Sequence, residues 1–290
     1  MHLPQFQYSA PKTSDEVEAL LAEQKDKAKI LAGGTDLIVQ MKEKAHRPEF
    51  IIDITGIESL SKINYDNGKG CTIGSATKIE NIEKTDVIKE KYAALSKGAS
   101  VIGSTQIRAM ATIGGNTCNA SPCADTVSPL VVFGAKVNIT SKNGKRDVLL
   151  EKFIKNNGVT DLNPDEFVES FTLEEPWPNS GSAYEYMGLR NAMEIDMVNF
   201  AANIAMDGDK IKDIRLAMGS VSPVPLRGTK AEEMLKGQVP TDELIEKAAK
   251  ACSDASIPID DIRASADYRR EIVGVLAKRV IKKALASIKK

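Results

Sequence analysis

Leu31-Ala32-Gly33-Gly34-Thr35-Asp36-Leu37 decides how this chain is read, together with its counterpart further on, Ala111-Thr112-Ile113-Gly114-Gly115-Asn116. The first glycine pair stands between a strand pattern, Lys29–Ala32, and a helix pattern running from Leu37 to Lys44. Paired glycines let backbone approach a ligand with no Cβ between them. Their N–H groups can converge on an anion, and a following helix adds a favourable dipole. The hydroxyls of Thr35 and Thr112 add further donors, so a diphosphate can be held without lysine or arginine. The competing reading is that each pair only makes a tight turn. Neither stretch is a single-loop phosphate motif, because G-x-G-x-x-G and G-x-x-x-x-G-K-[ST] are both missing from the chain. Gly68, Gly70 and Gly74 are the nearest spacing to the former and read as a hairpin turn ahead of a strand.

Outward from the first pair, Phe6, Tyr8 and Pro11 sit in an extended segment. Thr13 with Glu16 marks a capping box, and Val17, Leu20 and Leu21 give its helix an apolar face. Phe50–Ile54 reads as a buried strand, and strands alternating with helices predict an α/β unit. Asn64–Gly70 reads as a break, Cys71–Ala76 as a strand and Thr77 to Gly98 as helices. Ile113–Pro129 is rich in Gly, Asn, Ser and Pro yet weakly charged, which predicts a loop pressed against a ligand. Lys136–Ser141, Val148–Leu150 and Phe167–Leu173 read as strands. Glu175–Gly181 is the best domain boundary. Beyond it, Val198–Met206 and Lys210–Gly219 form a hairpin across Asp207-Gly208. Two helices follow, one after Thr241 with Leu244, Ile245 and Ala248 on one face. The other runs from Ala266 to Ile288, with Ile272, Val275, Leu276 and Val280 in register. Lys278 to Lys290 reads as its solvated face.

Composition narrows the chemistry. The chain has 290 residues, 39 basic against 40 acidic, and a net charge of −1. Charges of one sign do not cluster, so neither nucleic acid nor an anionic membrane is a plausible partner. His2 and His46 are the only histidines, which argues against a Ser–His–Asp hydrolase. Cys71, Cys118, Cys123 and Cys252 show no CxxC spacing, which argues against an autonomous zinc or iron–sulfur site. Cys118 and Cys123 are open to a metal or disulfide reading, or to plain packing. The N-terminus lacks a secretory pattern, and apolar runs fall short of the roughly 18–20 residues that span a bilayer. A reducing cytoplasm is the expected compartment.

The stretches AGGTDLIVQMK at 32–42 and IGSTQIRAMATIGGNTCNASPCADTVSPLVVFGAKV at 102–137 resemble the FAD-binding subunit of the molybdenum hydroxylases. That family includes the medium subunits of bacterial xanthine, nicotinate and carbon monoxide dehydrogenases and of 4-hydroxybenzoyl-CoA reductase. Weaker similarity surrounds Arg190, Pro225-Leu226-Arg227 and Asp261–Arg270.

The resemblance implies an α+β fold. Its α/β subdomains, about 1–58 and 59–178, would form a vanillyl-alcohol-oxidase-like FAD-binding unit over 1–178. A C-terminal domain of the CO-dehydrogenase-flavoprotein type, with a three-stranded antiparallel sheet and helices, would occupy 179–290. The same resemblance implies that Leu31, Ala32, Gly33, Gly34, Thr35, Asp36 and Leu37, with Thr112, Ile113, Gly114, Gly115 and Asn116, wrap the FAD diphosphate and ribityl chain. Asp125 would hydrogen-bond the adenosine part, and Ile102 and Val168 would lie against the cofactor. Tyr186 stands where many relatives carry a lysine near the flavin; it offers stacking or a hydrogen bond in place of a fixed charge. Tyr184 and Tyr186 also read simply as strand residues.

No side chain is implied as catalytic, and no metal ligand. The implied function is an oxidoreductase subunit. Electrons would come from [2Fe–2S] clusters on a partner subunit, fed by a molybdopterin subunit, and pass through FAD to NAD⁺ or another acceptor. A stand-alone FAD-binding protein or a flavin reductase without a molybdenum partner is the alternative. The inserted cysteine-rich loop of the 4-hydroxybenzoyl-CoA reductase flavin subunit has no counterpart here.

Overall fold

The structure, a computed structural model, describes residues 2–288. Strands Gln7–Ser9, Ala28–Leu31 and Phe50–Asp53 form a parallel sheet with Phe50–Asp53 in the middle. Parallel neighbours need crossover helices. Ser14–Gln24 supplies the first, burying Val17 and Leu21 against Ile52, Ile54 and Ile57. Thr13 Oγ1 accepts the Glu16 N–H at 3.3 Å, as the capping box predicts, but the Glu16 carboxylate reaches past Thr13 to the N–H of Lys12 at 2.7 Å. The second helix, Leu37–Lys42, is shorter than its periodicity predicts. Lys44 takes a left-handed φ of 65° and turns the chain away.

A five-stranded antiparallel sheet follows. Its order is Ile63–Asp66, Gly70–Gly74, Phe167–Leu173, Lys136–Ser141, Gly144–Leu149. The predicted break at Asn64–Gly70 is therefore half strand, with the turn confined to Asn67, Gly68 and Lys69; Gly68 has φ 85°. Helices Ile79–Lys84, Asp86–Lys91 and Ala93–Val101 bury Ile79, Ile82, Ile88 and Leu95 in a core shared with this sheet. Ile113–Pro129, read as a loop, instead contains the helix Ile113–Cys118 and the start of Val127–Val132. Glycine, asparagine and proline lower helix propensity, but every residue of Val127–Val132 is buried, and tertiary packing overrides the local preference.

Beyond Trp177 lies a four-stranded antiparallel sheet, Ser180–Met187, Val198–Asp207, Lys210–Gly219 and Leu226–Arg227. The fourth strand, two residues long, is the addition to the predicted three. The predicted hairpin at Asp207-Gly208 is present, with Gly208 at φ 59°. Alternate residues of Val198–Asp207 serve different cores. Phe200, Ala202 and Ile204 pack against helices Asp242–Ala255 and Ala266–Ala286, while Ala201 packs toward the N-terminal sheet and its helices. Burial on both faces explains the near-continuous apolar run of this strand. In the last helix Val273, rather than Val275, joins Ile272, Leu276 and Val280 in the core. That helix ends at Ala286, and Lys289 and Lys290 of the predicted lysine face lie outside the described residues. Among the described residues no helix is long and apolar enough to cross a membrane.

Candidate functional site

The two glycine stretches meet. A Cβ on Gly33 would lie 2.3 Å from the carbonyl oxygen of Met110 and 2.7 Å from Cα of Ala111. Only glycine permits that approach, since both neighbours are backbone. The contact places Leu31–Leu37 beside the residues that lead into Thr112–Asn116. Polar side chains tie the same junction. Gln40 Nε2 donates to Asn119 Oδ1 at 3.1 Å, and Asn119 Nδ2 donates to Asp36 Oδ1 at 3.4 Å. Gln40 and Asn119 were within the matched stretches, but nothing in the sequence pairs residues so far apart.

The two loops use their backbones differently. Among the described residues, no acceptor serves the N–H groups of Gly33, Gly34, Thr35, Asp36 or Leu37. Gly34 holds a left-handed φ of 70°, which bends this run. Five consecutive N–H groups in a half-exposed loop are thus left without a protein acceptor. The second loop departs from that pattern. Ile113 N–H donates to Thr77 O at 3.0 Å and Gly114 N–H to Ser75 O at 2.8 Å. Gly115 N–H donates to Thr112 Oγ1 at 3.1 Å and Asn116 N–H to Thr112 O at 2.9 Å. Its amides from Ile113 to Asn116 are occupied by the protein, so it does not repeat the run of free donors. What Thr112–Asn116 leaves free is the N–H and hydroxyl hydrogen of Thr112 and the Nδ2 of Asn116, whose Oδ1 accepts from Thr126 Oγ1 at 2.6 Å.

Each glycine of the second pair has its own reason. A Cβ on Gly114 would lie 2.6 Å from Ser75 O, so the glycine lets the helix start press onto the strand end. Gly115 is exposed, and its Cβ would meet only Thr112 Oγ1, at 3.1 Å. Burial raises the Asp36 carboxyl above its ordinary range.

The remaining predicted residues lie deeper. Ile102 and Val168 sit in the core beneath the second loop at 9% and 4% exposure. Val168 neighbours Glu169, whose carbonyl accepts the N–H of Ser75 at 3.0 Å, one bond from Gly114. Asp125 is buried, and its carboxyl is already engaged. Tyr184 OH donates to Asp125 Oδ1 at 2.5 Å and lies 3.1 Å from Asp196 Oδ2. Tyr184 and Tyr186 are strand residues of Ser180–Met187, as the plainer reading had it, and Tyr186 packs against the N-terminal core. Burial and the charges of Asp196, Asp125 and Glu194 raise the Tyr186 hydroxyl above its ordinary range. Arg190 folds back on its own loop, paired with Glu194. All four cysteines are free thiols.

Comparison with known proteins bears on this arrangement. Residues 4–176 match the FAD binding domain in molybdopterin dehydrogenase, and residues 182–284 match the CO dehydrogenase flavoprotein C-terminal domain. The chain is 31% identical to the xanthine dehydrogenase FAD-binding subunit of Escherichia coli O157:H7, over 90% of this chain and 89% of that one. It is 31% identical to the glyceraldehyde dehydrogenase medium chain of Sulfolobus acidocaldarius, over 97% of this chain and 99% of that one. Among solved structures, carbon monoxide dehydrogenase from Hydrogenophaga pseudoflava superposes with a TM-score of 0.95 at 29% identity, covering 100% of both chains.

Proposed function

The chain belongs to the family of FAD-binding medium subunits of the xanthine and carbon monoxide dehydrogenases, and on that premise we propose how its residues hold the cofactor and where its electrons go. It is an oxidoreductase subunit with an FAD-binding domain. The run of unpartnered N–H groups from Gly33 to Leu37 carries the reading of the site, because it supplies a diphosphate with donors that nothing else in the fold uses. Thr35 and Thr112 add hydroxyl hydrogens, and Asn116 adds its amide. Leu31 and Ala32 lead into the run, and Gly115 leaves room over the second loop. Ile102 and Val168 back the site from the core, Asp125 serves the adenosine end, and Tyr186 offers a ring or hydroxyl to the flavin end. The cofactor-binding unit covers 1–178, with subdomains of about 1–58 and 59–178 of the vanillyl-alcohol-oxidase-like type, and the C-terminal domain covers 179–290.

FAD bound here supplies the redox chemistry, accepting single electrons and returning a pair. The chain's own residues position it, and no side chain needs to act as acid or base. Electrons arrive from a [2Fe–2S] subunit, supplied in turn by a molybdopterin subunit, and leave to NAD⁺ or another acceptor. The complex works in the cytoplasm. The four scattered cysteines and two histidines of this chain fit clusters and molybdenum held on partner chains.

Purification of the chain with its genomic neighbours tests the assignment. Flavin absorption bands and a copurifying [2Fe–2S] protein are the expected result. Flavin bands without such a partner would leave the stand-alone FAD-binding protein or flavin reductase, and no bands after added FAD would defeat every flavin reading.

A further inference from the structure

Asp125, Tyr184 and Asp196 form a polar cluster where the C-terminal sheet meets the N-terminal unit. Asp125 precedes the helix Val127–Val132, Tyr184 lies on Ser180–Met187, and Asp196 ends the loop before Val198–Asp207. Asp125 and Asp196 are 8% and 2% exposed, and Tyr184 is 3% exposed. Tyr184 OH is 2.5 Å from Asp125 Oδ1 and 3.1 Å from Asp196 Oδ2, so one hydroxyl bridges the two carboxyls.

Counting hydrogens decides the charge state. A phenol has one hydrogen, and an ionised carboxylate only accepts. With both carboxylates ionised, the one phenolic hydrogen would have to serve both oxygen–oxygen contacts. Among the described residues, neither aspartate forms an ion pair with lysine, arginine or histidine. The titratable groups that reach the pair are Tyr184 and Tyr186 on one strand, Cys123 on the loop before Asp125, and Glu194, acting on Tyr186 from the loop before Asp196. None of them is cationic. Two buried like charges without a counter-ion are costly, and such a pair keeps a proton.

We propose that Asp125 and Asp196 share one proton at neutral pH, and that Tyr184 and Asp196 are positioning residues that hold Asp125 and, through it, the second glycine loop. Tyr184 donates along the short bond to Asp125, so the shared hydrogen belongs to Asp196, which donates back into the cluster. The path to the loop is short. Thr126, next to Asp125, donates to Asn116 Oδ1 at 2.6 Å. The C-terminal sheet thereby fixes the position of Asn116 without touching it. Burial and the neighbouring Asp125 carboxyl push Asp196 well above the usual carboxylate range, in keeping with this count. The inference stands apart from the proposed function, because it concerns the chain by itself.

The sign of the pH effect follows by linkage. The folded chain keeps a proton that the unfolded chain releases above the ordinary aspartate value of 3.8. The stabilisation is complete below that value and declines as pH rises toward the folded one. An Asp196→Asn variant keeps a donor at this position and has no proton to lose. Thermal unfolding of wild type and D196N, without added cofactor, is to be compared from pH 5 to pH 9. The wild type should lose ground steadily, its unfolding constant rising by up to about tenfold per pH unit relative to the variant. A constant difference across that range would overturn the proposal. Should D196N fail to fold, infrared spectroscopy of the wild type at pH 8 decides: a protonated-carboxyl C=O band supports the shared proton, and its absence rejects it.

Discussion

Gly33 lies directly against the carbonyl of Met110, at a distance where a Cβ would stand 2.3 Å from the oxygen. The loop after the strand Ala28–Leu31 is thereby pressed onto the turn after the helix Thr105–Arg108. A Gly33→Ala change must push backbone aside. Overpacking of this kind costs about 1–3 kcal/mol, and here no flexible side-chain tip can yield. Denaturant unfolding should show a loss in that range, with FAD retention falling as the two loops part.

Gly115 makes the opposite prediction. Only Thr112 Oγ1 lies near its missing Cβ, and the residue is exposed on the helix Ile113–Cys118. A Gly115→Phe chain should fold with stability changed by less than about 1 kcal/mol, since glycine is a poor helix former in any case. Flavin absorbance after gel filtration should nevertheless be lost. Full retention would show that the cofactor does not pass over this residue.

Arg227 fastens the C-terminal domain to the N-terminal sheet region. Its guanidinium grips Glu232 through two bonds, at 2.9 and 2.6 Å, and reaches Glu151 at 3.1 Å. Glu232 is 8% exposed and also accepts the N–H of Leu216 at 2.7 Å. An Arg227→Leu variant leaves that carboxylate buried without its counter-ion, at a cost of about 3–5 kcal/mol. Adding Glu232→Gln should recover part of the loss in the same unfolding assay, because no buried charge then remains.

The cysteines should be slow to react. Burial pushes the thiols of Cys71, Cys118 and Cys252 up to about 12. That leaves roughly a thousandfold less thiolate than an ordinary cysteine offers. A disulfide-exchange reagent at pH 8 should label Cys123 first and the half-buried Cys118 more slowly, with Cys71 and Cys252 reacting only after denaturation. Rapid labelling of all four in the folded chain would contradict the burial described.

The order of elements around the first glycine pair was legible because its signals are local. The strand, glycine pair and helix at 28–42 follow one another as the local pattern predicts. The second pair misled for a physical reason. Its spacing resembles the first, yet Thr77 and Ser75, which follow the strand Gly70–Gly74, take the N–H groups of Ile113 and Gly114, and Thr112 takes those of Gly115 and Asn116. Likewise Ile113–Pro129 has the composition of a loop, and only burial against the sheets makes part of it helical.

The sequence by itself determined the glycine positions, the turns at Gly68 and Gly208, the parallel opening unit and the family, because these depend on backbone conformation and on residue order. Tertiary structure alone decided which loop keeps its donors free, which aspartate keeps a proton, and that Gly33 must be glycine because of Met110. Those outcomes depend on distances between residues far apart in the chain. Desolvation and hydrogen-bond competition act on such distances, and neither is written in any local pattern.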